Sequence, residues 1–191
     1  MLGRLDLSPA LDRPDLLAAP VLAALRTWPR AGEVQVAAID PELADTEAFC
    51  AAYGIELAAS ANCVVVAGRR GEDVRRAACL VLATTRADVN GVVRRRLDAR
   101  KASFAPLEQT VADSGMEYGG ITPLGLPDAW PVLVDPAVLA APQVVVGSGL
   151  RRSKLVLPGA ATAELPGAEA LPGLGSPAEV REQAGTQQVT R

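Results

Sequence analysis

The chain has 191 residues, 49% of them apolar and 21% charged, and its formal net charge is −3. This length and composition fit one globular domain with a substantial core, and the negative charge argues against a protein that binds nucleic acid through bulk positive charge. Histidine is absent, which excludes Ser-His-Asp and Cys-His nucleophilic systems and zinc sites of the HExxH type.

The remaining composition narrows the chemistry further. Cys50, Cys63 and Cys79 are far apart and form no CxxC pair, so we interpret them as buried apolar residues and expect neither a metal site nor a cofactor. Aromatic residues make up 3% of the chain, so a base-stacking platform is not expected. Any reaction must depend on backbone dipoles, carboxylates, lysine, arginine, bound water or the substrate.

The first residues do not resemble an export signal, because Arg4, Asp6 and Asp12 interrupt the apolar run that a signal peptide requires. No segment approaches the run of roughly 18 apolar residues that a membrane-spanning helix needs. We therefore expect a cytoplasmic protein that does not span a membrane.

The first part of the chain predicts helices around one strand. Residues 9–28 have a helical apolar spacing interrupted by prolines, which predicts two short helices, and residues 33–40 alternate as a strand does. Residues 41–54 predict a helix that Asp40 caps and Gly54 ends.

The middle of the chain predicts a pair of strands and two more helices. Two β-branched apolar runs, residues 62–68 and 78–85, indicate central strands that pair antiparallel across a charged loop. Asp88 is a suitable cap for a following helix, and a second short helix is predicted from Pro106 to Gly115.

Three further strands, at residues 130–135, 143–149 and 154–159, complete the predicted sheet, with one helical turn between the first two. This order predicts an α/β fold of the α+β type, with a curved, mixed, largely antiparallel sheet and flanking helices. We expect a single domain over residues 1–165. The Pro-Gly pairs and polar residues that follow predict a disordered C-terminal tail over residues 166–191.

A glycine-rich stretch, YGGITPLG at residues 118–125, is the first candidate for a binding site. Gly119 and Gly120 allow backbone angles closed to other residues, so their amides can approach a ligand closely and bind an anion or an oxyanion. A plain turn between a helix and a strand is the alternative interpretation.

A second glycine-rich loop, residues 147–149, directly follows a predicted buried strand. Three basic residues come just after it: Arg151, Arg152 and Lys154. Loops at strand ends often carry binding groups. Ser148 has no histidine partner, so we interpret its hydroxyl or the neighbouring amides as candidates for binding a carboxyl or carbonyl group. The three basic residues are candidates for contacts with phosphates, with a solvated surface as the alternative.

In this order, the segments ANCVVVAG, ACLVLATT, EYGGITPLG, WPVLVD and QVVVGSGLRRSKLVL resemble the YbaK/EbsC family of aminoacyl-tRNA deacylase domains. That family also includes the insertion domain of bacterial prolyl-tRNA synthetases. The resemblance extends over about residues 35–165, and GGITPLG, its most specific part, is similar to the family's GG-I/V-S/T-P-x-G loop. Residues 147–149 are similar to the family's second pocket loop.

The resemblance implies a small pocket between the two loops that accepts the aminoacyl group of a mischarged tRNA. The ester would be hydrolysed by positioned water, by backbone stabilisation of the carbonyl oxygen, or with the substrate's own thiol or ribose hydroxyl. It implies catalytic roles for Gly119, Gly120 and Asn62. It also implies substrate-binding roles for Ile121, Thr122, Pro123, Gly147, Ser148 and Gly149, and tRNA-binding roles for Arg151, Arg152 and Lys154.

Many members of that family have a lysine where this chain has Asn62, and this difference leaves several functions open. The first is an editing hydrolase that deacylates substrates like Cys- or Ala-tRNA(Pro) at the 3′ end of the tRNA, with a synthetase as a further candidate partner. The second is a weak or inactive module that binds an aminoacyl group or a small molecule, because asparagine brings no positive charge. The third is a hydrolase for a different ester.

Overall fold

The computed structural model describes residues 2–177. Its strands are β1 (Ser8–Pro9), β2 (Gln35–Ala38), β3 (Ala61–Arg70), β4 (Asp73–Leu82), β5 (Thr85–Ala87), β6 (Lys101–Phe104), β7 (Val132–Val134), β8 (Val144–Gly147), β9 (Ser153–Leu157), β10 (Ala168–Ala170) and β11 (Gly175–Pro177). Its α-helices are α1 (Ala19–Thr27), α2 (Thr46–Tyr53), α3 (Arg94–Arg96), α4 (Leu107–Ser114) and α5 (Pro136–Ala140). None of the helices within these residues is both long enough and apolar enough to cross a membrane.

Two sheets form the centre of the fold. The first has the strand order β1-β2-β9-β8 and is antiparallel throughout. The second has the order β10-β7-β4-β3-β6, in which β7 is parallel to both β4 and β10. The predicted α+β fold with mixed, largely antiparallel strands is confirmed, although the strands are divided between two main sheets, with β5 and β11 pairing separately.

The strands β7 and β8 and the second half of β4 are apolar on successive residues because they are buried on both faces. Leu80 of β4 and Val146 of β8 belong to the largest buried cluster, which contains residues of both sheets. Their neighbours Cys79 and Val145 belong to two other buried clusters, and Val145 shares its cluster with Phe49 of α2. Successive side chains of a strand point to opposite faces, so each strand contributes to two apolar layers.

The predicted antiparallel pair is confirmed as the hairpin of β3 and β4. The charged segment between the two predicted strands is not a long loop, since pairing continues to Arg70 and Asp73. A two-residue turn remains, in which Gly71 has a φ of +64° that glycine adopts readily. Charged side chains are compatible with this exposed end of the ribbon because they point into solvent.

The helix predicted over residues 41–54 is divided into a 3-10 turn, Pro41–Leu43, and α2. Asp40 is confirmed as the cap of the first turn, where its side chain accepts a hydrogen bond from the Glu42 amide. Gly54 ends α2 with a φ of +66°. The division matters for the site because it places the start of α2 beside β3.

The other predicted helices differ in extent and type. In residues 9–28 only α1 is an α-helix, preceded by two 3-10 turns, Ala10–Asp12 and Pro14–Leu16. The helix after Asp88 begins as a π-helical turn, Val89–Val93, that continues into α3. Asp88 caps this turn by accepting hydrogen bonds from two successive amides, as predicted.

The predicted disordered tail starts too early. β10 pairs with β7 and β11 pairs with β5, so residues 168–170 and 175–177 extend the sheets. Leu174 is fully buried, and the side chain of Asp135 accepts a hydrogen bond from the Gly175 amide. These long-range contacts order residues 168–177, although the local composition of this segment predicts no regular structure. The rest of the predicted tail, residues 178–191, lies outside the described residues.

Candidate functional site

A cavity of about 480 Å³ opens beside the place where the two sheets approach each other. The Ser60 and Val145 backbones form a single bridge there, and both residues contribute to the wall. The rest of the wall comes from the start of β3, the end of β8, the start of α2 and the first glycine-rich loop. Five predicted site residues line the cavity: Asn62, Gly119, Ile121, Gly147 and Lys154.

Asn62 lies near the start of β3, paired with Val81 of β4. Its carbonyl oxygen accepts a hydrogen bond of 2.7 Å from the Thr46 hydroxyl, at the first residue of α2. Within residues 2–177 its amide nitrogen donates to no acceptor, so this group remains available to a ligand in the cavity. Thr46 thereby fixes which end of the Asn62 amide is free.

Lys154 is the one lysine or arginine among the cavity-lining residues that the structure describes. The residue is 8% exposed, and its Nζ donates a hydrogen bond of 2.9 Å to the Ala44 carbonyl oxygen. The Phe49 ring centroid lies 5.4 Å from the same nitrogen. Burial, followed by the positive charge of Arg151, lowers the pKa of Lys154 below its ordinary value.

The backbone amides of the two loops are not equally available. The Gly120 amide donates to the Glu117 carbonyl oxygen at 3.0 Å, and the Gly149 amide donates to the Gly120 carbonyl oxygen at 2.8 Å. Both donors therefore have acceptors within the protein, and their contact with a substrate carbonyl stays a prediction. In the described part of the chain the Gly119 and Ile121 amides have no acceptor, and both residues line the cavity.

Close packing between the loops accounts for several of the glycines. A Cβ at Gly147 would lie 2.2 Å from the Gly120 carbonyl oxygen, and a Cβ at Gly120 would lie 2.7 Å from the Leu150 carbonyl carbon. Real Cβ atoms do not approach backbone so closely, so the two loops require bare residues where they cross. Gly120 is thus structural, whereas Gly119, with a φ of +77°, faces the cavity.

Four predicted substrate-binding residues do not line the cavity. Ser148 is fully buried, and its hydroxyl lies 2.7 Å from the Ser153 hydroxyl. Thr122 is also fully buried. Pro123 lines a different cavity on the side of α1, and Gly149 is absent from the wall of the first cavity. The contact of these four residues with a substrate stays a prediction.

The predicted tRNA-binding residues are in three different environments. Lys154 is buried in the cavity wall, whereas Arg152 is exposed and donates to the Asp15 carbonyl oxygen at 2.8 Å. Arg151 donates to the Pro41 carbonyl oxygen at 2.8 Å, and its guanidinium lies 5.6 Å from the ring centroid of Tyr118. Arg151 therefore lies beside the mouth of the cavity. Arg151, Arg152 and Lys154 do not form one basic patch.

The rim of the cavity carries exposed apolar side chains. Phe104 is 62% exposed, Leu107 is 49% exposed and Tyr118 is 59% exposed, and all three line the cavity. The chain contains two Phe and two Tyr residues in total, so half of these aromatic rings lie at this opening. The expectation that the chain has no base-stacking platform rests on the aromatic content and stays a prediction.

The cavity offers no activated thiol. Cys63 lines it, but burial raises the pKa of this thiol far above its ordinary value. Burial also raises the pKa of Cys79 to about 12. Within residues 2–177, no cluster of three or more His, Cys, Asp or Glu side chains could bind a metal ion. Besides backbone amides, the polar groups of the cavity wall include the Asn62 carboxamide, the Lys154 ammonium and the Asp45 carboxylate.

Sequence reasoning missed several residues of this site. Thr46 orients Asn62, Asp45 lies in the cavity wall with a side chain that is 69% exposed, and Phe104 and Tyr118 flank the opening. The Tyr118 position directly before the glycine pair was a usable signal. The other three lie far from the loops in sequence, so only the tertiary structure brings them together.

Comparisons with known proteins identify the family and the fold. A family model described as "Aminoacyl-tRNA editing domain" matches residues 40–165. A protein proposed to be a trans-editing enzyme for prolyl-tRNA synthetase has a similar structure, with a TM-score of 0.69 and 23% identity over 81% of this chain and 94% of that chain. A scaffold protein used to present grafted linear epitopes has a TM-score of 0.68 and 23% identity over 81% and 95% of the two chains.

A proposed signal transduction protein from Marinobacter aquaeolei VT8 shares the fold over 82% of this chain and 30% of its own, with a TM-score of 0.52 and 18% identity. No curated protein matches the chain. At these identities the structural likeness establishes the fold alone. The family model covers most of the chain, including α2, β3, both glycine-rich loops and Lys154. The chain belongs to the family of aminoacyl-tRNA editing domains.

Proposed function

We propose that this protein deacylates mischarged aminoacyl-tRNA in trans, acting on substrates like Cys- or Ala-tRNA(Pro). The observation that supports this most is the cavity beside β3 and β8, whose lining includes Asn62, Gly119 and Lys154. Membership of the editing-domain family supports the deacylase reaction. The cavity volume of about 480 Å³ is in the range of small-ligand sites, which suits an aminoacyl group with its terminal ribose.

Water is the nucleophile that we propose. The chain has no histidine, and the raised pKa of Cys63 keeps the one cysteine of the cavity wall in its thiol form. The oxygen of a water molecule, or of a ribose hydroxyl that water later replaces, would attack the ester carbonyl carbon. The bond from that carbon to the ribose oxygen then breaks, the ribose oxygen takes a proton, and the free amino acid leaves.

The available backbone donors suit the carbonyl oxygen of such an ester. The amides of Gly119 and Ile121 have no acceptor within residues 2–177, and both residues line the cavity. Donors fixed before the reaction stabilise the charge that develops on the oxygen during attack. We propose that the Asn62 carboxamide, oriented by Thr46, binds the ribose or the acyl group beside them.

The exposed residues at the rim suit the 3′ end of the tRNA. A terminal nucleotide whose acyl group occupies the cavity must place its base and phosphates near Phe104, Tyr118 and Arg151. Aromatic rings stack on bases without requiring a particular sequence, and arginine pairs with phosphate. Since aminoacyl-tRNA is used in translation, we propose that the protein acts in the cytoplasm, and a synthetase is a candidate partner.

A binding module without hydrolytic activity is the second candidate. It is favoured by one observation, that Asn62 is uncharged and already shares a hydrogen bond with Thr46. Such a module would keep the cavity and bind an aminoacyl group without accelerating its release. It predicts that the protein binds aminoacylated adenosine analogues yet leaves every aminoacyl-tRNA as stable as in buffer.

The experiment is a deacylation assay of the purified protein against a full panel of radiolabelled mischarged tRNAs, beginning with Cys- and Ala-tRNA(Pro). Correctly charged Pro-tRNA(Pro) is the control substrate. The proposal predicts hydrolysis of at least one mischarged tRNA well above the uncatalysed rate. Rates equal to the uncatalysed rate across the whole panel would overturn it, and binding without hydrolysis would establish the second candidate.

A further inference from the structure

We propose that the Lys154 ammonium is the cation that binds the electron-rich carbonyl oxygen of the acyl ester, rather than a phosphate of the tRNA. This inference rests on the proposed function, because it assigns a role within the same cavity. It gives a positive charge from β9 to a cavity that the uncharged Asn62 of β3 also lines.

Lys154 is a buried charged residue without a counterion among residues 2–177. Lysine is almost never fully buried unless it is paired, since removing an ammonium from water carries a large penalty. Lys154 is 8% exposed, and among residues 2–177 no carboxylate lies within ion-pair distance of its Nζ. Stability does not explain such a residue, whereas a ligand that carries negative charge in the cavity does.

Lys154 has small residues beside it on both neighbouring strands. Lys154 pairs with Ala37 of β2 on one side and with Gly147 of β8 on the other. Residues directly opposite in antiparallel strands share a face of the sheet, so Lys154 lies between two small neighbours. Small neighbours leave room for a long side chain beside them, and both Gly147 and Lys154 line the cavity.

The Lys154 ammonium has unused hydrogen-bonding capacity. An ammonium group has three donors, and within the described residues Nζ has one acceptor, the Ala44 carbonyl oxygen. The other N–H groups of Nζ are available to a ligand, because Lys154 lines the cavity. A bulky phosphodiester of the tRNA backbone would stay outside the mouth of the cavity. A buried Nζ instead suits a ligand atom inside the cavity. The ester carbonyl is the electron-rich group that an aminoacylated ribose would place there.

In the proposed step, water attacks the carbonyl carbon, and the carbonyl π electrons move onto the oxygen, which becomes an oxyanion facing Nζ. When the oxyanion collapses, the electron pair re-forms the carbonyl, the bond to the ribose oxygen breaks, and the proton from the attacking water ends on that ribose oxygen. Lys154 remains an ammonium throughout and donates hydrogen bonds that strengthen as the oxygen gains charge.

The test compares the wild type with Lys154→Met, which keeps the length of the side chain and removes its charge. Single-turnover deacylation of Ala-tRNA(Pro) and the Tm are measured for both. We expect the variant to be at least about 100-fold slower, as is typical when one oxyanion donor is removed. We expect its Tm to be unchanged or higher, because an unpaired buried charge is gone. Activity within about threefold of the wild type, or a lower Tm that accounts for the lost activity, would overturn the inference.

A binding measurement separates this inference from the proposed function. The probes are a 1-aminoethylphosphonate monoester of the adenosine 3′-hydroxyl, an anionic tetrahedral mimic, and 3′-alanylamino-3′-deoxyadenosine, a neutral amide. We expect Lys154→Met to weaken the phosphonate at least tenfold and the amide by less than threefold. If the wild type hydrolyses no aminoacyl-tRNA but shows this pattern, the proposed function fails and the cation site stands. Equal weakening of both probes, or of neither, would overturn the cation site whether or not the protein is a deacylase.

Discussion

Gly147 and the carbonyl oxygen of Gly120 lie so close that a Cβ on Gly147 would come within 2.2 Å of that oxygen. The first glycine-rich loop therefore rests directly on the backbone of β8, and this contact places the Gly119 and Ile121 amides at the cavity. The geometry of the candidate site thus depends on two glycines whose own amides are not the proposed donors.

The first prediction concerns this contact. Gly147→Ala should lower the free energy of unfolding by about 1–3 kcal/mol, because the methyl group meets backbone atoms that cannot move aside alone. It should also displace the first loop and reduce deacylation. The measurements are urea unfolding and single-turnover deacylation. Gly32→Ala is the matched control, since a Cβ there meets nothing within 4 Å. Equal stability of the two variants would contradict the prediction.

The second prediction concerns the number of positive charges in the cavity. In the wild type, Asn62→Lys should not raise deacylation, because it would add a second ammonium to the cavity that Lys154 lines, and like charges repel. In the Lys154→Met background the same change should restore activity by tenfold or more, since it returns one positive charge to the wall. Comparing deacylation by the four proteins tests this. A gain in the wild-type background as large as in the variant would contradict it.

The third prediction concerns pH. Burial, and next the charge of Arg151, lower the pKa of Lys154 in the folded protein relative to the unfolded chain. Between the two pKa values the unfolded chain binds more protons at this site, so the contribution of Lys154 to stability becomes more favourable as pH rises. The penalty is fully present below the folded pKa and disappears above the unfolded pKa.

Measured from neutral to alkaline pH, the difference in free energy of unfolding between wild type and Lys154→Met should therefore shift in favour of the wild type. Subtracting the variant removes the titration of every other group. A difference that is independent of pH would show that the ammonium carries no penalty in the fold, and one that moves the other way would show that the charged form is favoured there.

The fourth prediction concerns the rim. Phe104→Ala and Tyr118→Ala should each raise the KM for aminoacyl-tRNA, by about fivefold to 100-fold if a base stacks on the ring. Their Tm values should stay within about 2 °C of the wild type, because both side chains are largely exposed. Leu11→Ala, at an exposed apolar residue outside the cavity wall, is the control and should leave KM unchanged. A similar change in all three variants would argue against a base-binding rim.

The fifth prediction concerns residues 166–177. A chain that ends at residue 165 should unfold at a clearly lower temperature than one that ends at residue 177. The shorter chain loses β10 and β11, the buried Leu174 and the hydrogen bond from the Gly175 amide to Asp135. Thermal unfolding by circular dichroism tests this, with the full chain as reference. If the two shortened chains unfold at the same temperature, these strands contribute little to the fold.

Much of this architecture follows from local sequence signals. The unbroken apolar runs predicted β3 and β4, and the positions of Asp40 and Asp88 predicted the helix caps, because those features depend on neighbours in sequence. The strands β10 and β11 were not predicted. Their order depends on pairing with β7 and β5, which no short window of the chain contains.

The sequence predicted some of the residues that line the cavity, and its failure to separate these from the residues that do not has a common cause. A glycine that approaches a ligand and a glycine that packs against backbone look the same in a sequence, so Gly119 and Gly120 could not be distinguished. Lys154 follows two arginines and a serine, a pattern typical of a solvated surface. Its burial depends on the small residues Ala37 and Gly147 in neighbouring strands, which only strand pairing reveals.

The most direct test of the proposed function is single-turnover hydrolysis of Ala-tRNA(Pro) and Pro-tRNA(Pro) by the wild-type protein under identical conditions. An editing domain must release the wrong amino acid and spare the right one, and a small pocket discriminates such side chains by roughly 10-fold to 200-fold. We predict that Ala-tRNA(Pro) is hydrolysed well above the uncatalysed rate and at least tenfold faster than Pro-tRNA(Pro). Hydrolysis of both at the uncatalysed rate, or faster loss of Pro-tRNA(Pro), would contradict the account.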